Sequence, residues 1–89
     1  MAKKRRKLNK DFERKIYSSK KNVELVLAKI YDIDDEDIQK EYMSAFNEVV
    51  NLYDELRGSY DEQGFNNNSE QLLTNYKNAF NLFESEFEI

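Results

Sequence analysis

Apolar residues recur at alternating steps of three and four in three separate stretches of this chain, and no proline interrupts any of them. That period gathers apolar side chains on one stripe of an α-helix, so the chain is restricted to amphipathic helices that bury their stripes against one another. The first stripe is Leu8, Phe12, Ile16, Val23, Val26, Leu27 and Ile30, interrupted by Ser19. The second is Ile38, Tyr42, Ala45, Phe46, Val49, Leu52, Tyr53, Leu56 and Tyr60. Leu72, Leu73, Tyr76, Ala79, Phe80, Phe83 and Phe87 form the third, which is broad and aromatic.

The boundaries carry cap chemistry. In "YDIDDEDIQ" Asp34 is positioned to accept from the free backbone donors of the next turn, and Asp35, Glu36 and Asp37 fall where the positive end of the helix dipole favours anions. "GSYDEQGFNNNSEQ" holds both glycines and places a loop near residues 63–67, with Asn67 and Glu70 spaced as a capping box. Gly58 alone does not stop the second helix, since it costs about 1 kcal/mol relative to alanine in a helix interior. The expected helices span 8–31, 35–62 and 68–87, in one helical domain (8–89) preceded by a flexible basic arm (1–7). Short connections make neighbours antiparallel, so the expected fold is all-α, an up-down-up three-helix bundle. Its competitor is a helical hairpin that completes its core as a homodimer, and the face bearing Phe80, Phe83 and Phe87 decides between them.

Composition argues against catalysis. The 89 residues include no Cys and no His, which removes disulfides, thiolate metal sites and the commonest general base. A serine nucleophile would have no imidazole beside it, and no glycine-rich phosphate loop is present. We therefore expect no enzyme, no catalytic residue, no metal and no cofactor. "DIDDED" resembles a calcium loop until its register is counted from Asp32: Asp37 stands where such loops need Gly, and Met43 where they need Glu. No apolar run approaches the roughly 18 residues of a membrane span. The basic start runs into Asn9, Lys10 and Asp11 instead of an apolar signal segment. The expectation is a soluble protein of the cytoplasm with no membrane partner. Abundant Lys, Asn, Ile, Tyr, Asp and Glu with no Pro or Trp fit AT-rich coding, as in low-GC bacteria and their phages, and point to a bacterial host cell.

Charge is strongly sorted. Residues 1–29 carry 11 Lys or Arg against 3 Asp or Glu, a net +8, while residues 30–89 carry 3 against 15, a net −12. The run Lys3, Lys4, Arg5, Arg6 and Lys7, extended by Lys10 and Arg14, is the candidate surface for nucleic acid or an acidic partner, because such density neutralises phosphates and releases counterions. A solvated tail is the alternative. Glu41, Glu48, Glu55 and Glu62 recur every seven residues and align on one side of the second helix, where they can mimic the charge of a nucleic acid or form an ordinary solvated stripe. Tyr42, Tyr53, Tyr60 and Tyr76 belong with the apolar stripes as core-edge residues, whereas Tyr17 and Tyr31 lie off them and are candidates for partner contact. The Asn67–Ser69 glycosylation pattern is better explained as a helix cap.

The function expected from these features is non-enzymatic and stoichiometric. The chain reads as a helical binding protein for a nucleic-acid-handling protein or nucleoprotein complex, of the kind phages and mobile elements use to regulate or inhibit host nucleases and defence systems. Direct DNA or RNA binding through the basic arm is one alternative. An immunity or antitoxin-type protein that neutralises a basic toxin is another.

Overall fold

The computed structural model describes residues 7–87, which contain α1 (Lys10–Tyr31), α2 (Glu36–Gln63) and α3 (Asn67–Glu86). They pack as an all-α three-helix bundle in which α2 contacts both other helices extensively. Aromatic contacts fix the directions. Tyr42 meets Phe87 at 4.8 Å, Phe46 meets Phe83 at 4.8 Å and Tyr53 meets Tyr76 at 6.1 Å, so α3 descends as α2 ascends. Phe12 near the start of α1 meets Tyr60 near the end of α2 at 5.6 Å, so that pair is antiparallel too. Phe83 is buried and Phe80 and Phe87 are half-buried against the same core, which closes within the chain.

Each helix starts one or two residues from its expected position, at a point set by its capping side chain, which for α2 and α3 is not the one expected. Leu8 lies outside α1 and is exposed; Asn9 caps that helix, accepting from the Phe12 N–H at 3.0 Å. The cap of α2 is Asp35 and not Asp34, its Oδ1 accepting from Asp37 N at 2.9 Å and Ile38 N at 3.1 Å. With that frame Gln39 reaches back to donate to the carbonyls of Ile30 at 3.2 Å and Tyr31 at 3.3 Å, tying the start of α2 to the end of α1, where the Ile30 carbonyl also accepts from Ile33 N at 3.1 Å. Ile38 is correspondingly rotated to an exposed position.

The capping box of α3 uses Asn66 and Ser69, not Asn67 and Glu70. Asn66 Oδ1 accepts from Ser69 N, and Ser69 Oγ accepts from Asn66 N, both at 2.9 Å. Ser69 is fully buried, and a glutamate cannot occupy that enclosed site without losing its hydration. α2 runs unbroken through Gly58 and ends at Gly64, whose φ of 77° favours glycine. Beyond it Phe65 N donates to the Lys7 carbonyl at 2.6 Å, and the Phe65 ring packs on Phe12 at 5.0 Å. The chain entering α1 is thereby held against the α2–α3 turn.

Candidate functional site

Three furrows run between the helices, and the side chains along them differ in charge. The α1–α2 furrow, of about 370 Å³, is lined by Ile16, Tyr17 and Tyr53 and carries both signs of charge, Lys20 and Arg57 beside Glu13 and Asp61, with Arg57 paired to Asp61 at 3.9 Å. Tyr17 is 59 % exposed there, and Lys21 Nζ stands 5.4 Å from its ring centroid. Where this furrow approaches the α2–α3 turn, the Tyr60 hydroxyl accepts from Asn9 N at 3.1 Å and donates to Glu13 Oε2 at 2.5 Å. Tyr31 is 68 % exposed and lies 14 residues beyond Tyr17, about 21 Å along the helix, so the two tyrosines do not form one patch.

The α2–α3 furrow carries Leu52, Ala79 and the exposed Leu82 between Glu48 and Glu86. Glu41, Glu48, Glu55 and Glu62 are all exposed on α2. Of that row, Glu48 lines this furrow.

Between α1 and α3 the furrow is basic. Arg14, Lys15 and Lys29 from α1 and Lys77 from α3 line its main stretch, with Glu84 as the carboxylate there, and the adjoining stretch toward the α2–α3 turn shares Lys15 and Lys77 and adds Asp11 and Glu70. Arg14 pairs with Asp11 on its own helix at 3.8 Å, with both side chains more than four-fifths exposed, a geometry that contributes little stability. Lys15, Lys29 and Lys77 have no ion pair among the described residues. The sequence reading missed these lysines. Lys15, Asn22 and Lys29 stand seven apart, a spacing visible in the sequence, but Lys77 joins them only through the packing of α3 beside α1.

The floor of this furrow holds a polar contact between the helices. The Tyr76 hydroxyl donates to the Ser19 carbonyl at 3.2 Å, and Ser19 Oγ donates to the Lys15 carbonyl at 2.8 Å. Burial pushes the Tyr76 phenol up to about 12, an effect partly offset by its bond to Ser19 and reinforced by Tyr53 and Glu84. Tyr76 and Tyr60 therefore end on protein acceptors, a stronger anchorage than core-edge tyrosines whose hydroxyls reach water.

Of the basic run, Lys3, Lys4, Arg5 and Arg6 lie outside the described residues. Lys7 is held by its backbone at Phe65, with its Nζ 5.9 Å from that ring's centroid. Lys10 is exposed one turn before Arg14 on the same face of α1 and does not line the α1–α3 furrow. Among the described residues no group of three or more acidic, Cys or His side chains is arranged to hold a metal ion, and no helix is long and apolar enough to cross a membrane. Compared with protein-family models, with curated proteins and with solved structures, the chain matches none.

Proposed function

We propose that this chain is a non-enzymatic binding protein that acts stoichiometrically on a nucleic-acid-handling protein or its nucleoprotein complex. The observation that carries the reading is the separation of charge on the bundle surface. The exposed Glu41, Glu48, Glu55 and Glu62 stand on α2, while the furrow on the other side of α3 is lined by Arg14, Lys15, Lys29 and Lys77. A row of carboxylates complements the basic channel of a nuclease or polymerase, and complementary fields raise both encounter rate and specificity. The AT-rich character of the sequence extends the reading to a phage or mobile-element regulator or inhibitor of a host defence system, acting in the bacterial cytoplasm.

The test is affinity capture from a low-GC bacterial host, followed by titration of the captured protein. Glu41→Lys, Glu48→Lys and Glu55→Lys together are expected to weaken the complex by about tenfold or more, roughly the effect of placing like charges across an interface. Unchanged affinity in that triple variant rejects the acidic face as the contact. Direct binding of DNA or RNA through the segment from Lys3 to Lys7 is the competing reading, and the net −12 of residues 30–89 opposes it.

A further inference from the structure

We infer that the furrow between α1 and α3 is the docking site for an acidic amphipathic helix of a protein partner; this rests on the stoichiometric-binding reading above and names the chemistry of what is bound. α1 and α3 are the pair of helices that touch least, because α2 takes up the main apolar stripe of each. They leave an open furrow of about 530 Å³ between them. Val26, Tyr76 and Phe80 form an apolar strip along its floor, bordered by Ser18, Asn22 and Asn81, and Leu25 stands on its rim 60 % exposed. Cations flank that floor, with Arg14 and Lys15 toward one end, Lys29 toward the other and Lys77 on the opposite wall.

An apolar floor between cationic walls selects for an apolar stripe between rows of carboxylates, which is the cross-section of an acidic amphipathic helix. The dimensions agree. Arg14 and Lys29 are 15 residues apart, about 22 Å along α1, so a helix of about four turns spans the cations and adds a fourth member to the bundle. A nucleic-acid backbone satisfies the lysines but gives Leu25 and Phe80 nothing apolar to meet, and it places phosphates against Glu84.

The probe is a synthetic peptide of about 16 residues with leucines at steps of three and four and glutamates on both flanks, alongside a version with lysines in place of the glutamates. Fluorescence anisotropy with the full chain is expected to give a dissociation constant of tens of micromolar for the glutamate peptide and no binding of the lysine peptide. Lys15→Glu combined with Lys77→Glu should weaken the glutamate peptide by about tenfold and confer binding of the lysine peptide, a rescue that an unfolded variant cannot produce. Leu25→Asn should weaken it by about threefold while leaving the circular dichroism spectrum intact.

Glutamate-peptide affinity unchanged by the double charge reversal overturns the inference. So does duplex DNA binding that the reversal abolishes while no peptide binds. A concentration-dependent dimer lost in the same variant, with no peptide binding, assigns the furrow to a second copy and also overturns it. Glu41, Glu48 and Glu55 do not line this furrow, so their triple lysine variant should bind the peptide normally. Peptide binding with failed capture removes the parent reading alone, and the converse removes the furrow alone.

Discussion

The Tyr76 hydroxyl on α3 donates to the backbone carbonyl of Ser19 on α1 at 3.2 Å, at a point where both residues are almost fully buried. Ser19 is small enough to let the phenol reach the helix backbone, and its own hydroxyl turns back to the Lys15 carbonyl. A residue that breaks the apolar stripe in the sequence is thus the seat of the contact that joins the two least-packed helices.

That contact sets a pH dependence. The Tyr76 phenol ionises near 10.0 in the unfolded chain and at about 12 in the folded one. Below pH 10 it is neutral in both states and its contribution is fully present. Between 10 and 12 the unfolded chain releases a proton that the folded chain keeps, so stability falls with rising pH, by at most about 1.4 kcal/mol per unit. Tyr76→Phe should be about 1 kcal/mol less stable at pH 8 and should lose that disadvantage by pH 11, as measured by urea unfolding at both values. Parallel pH curves for the two proteins would show that burial of the phenol is not the cause.

Ser19 is expected to resist enlargement. Ser19→Leu restores the apolar stripe that periodicity calls for, yet it drives a branched side chain into the space Tyr76 occupies. A loss of about 1 to 3 kcal/mol should result, read as a Tm lowered by roughly 5 to 20 °C for a domain of this size. Ser19→Ala should lie within about 1 kcal/mol of the parent. A leucine variant as stable as the parent contradicts the packing described.

Gly58 is an opportunity for stabilisation. It lies inside α2, and a Cβ added there meets nothing within 4 Å. Gly58→Ala should raise stability by about 0.5 to 1 kcal/mol, chiefly by restricting the unfolded chain. Thermal unfolding followed by circular dichroism measures it; a lower Tm would mean that the position serves something other than the helix.

The cap of α3 is open to a double-mutant test. Ser69 Oγ and Asn66 Oδ1 each accept from the other residue's backbone N–H, so removing either side chain leaves a donor without its partner. Asn66→Ala and Ser69→Ala should each cost about 1 to 2 kcal/mol, and the double variant less than their sum. Asn67→Ala, one residue along, should be within about 0.5 kcal/mol of the parent. Equal losses at Asn66 and Asn67 would move the cap.

Nucleic-acid binding is measurable on the same protein. If the run from Lys3 to Lys7 neutralises about five phosphates, duplex affinity falls with a log-log salt slope near −4.5. Under the protein-partner reading the full chain and a version lacking residues 2–7 should bind duplex and single-stranded probes equally weakly at about 150 mM salt. A steep slope that vanishes with the deletion would replace that reading with direct binding.

The number of helices, their approximate extents and their buried faces were decided by the sequence itself. A period of three and four is a local property, and a helix obeying it has one stripe to bury whatever its neighbours do. The caps were legible only to within a residue. Asp34 competes with Asp35, and Asn66 with Asn67, through the same short-range chemistry, and the choice falls to whichever frame lets Gln39 reach the end of α1 and Ser69 enter the core. The carboxylate row of α2 was equally legible, because its members share one helix. The basic furrow was not, since Lys77 is more than 45 residues from Lys29 in sequence and meets the cations of α1 only when α2 has folded back and brought α3 alongside. Periodicity along one segment assigns each residue a face, and only the packing of those faces in three dimensions determines which residues stand together.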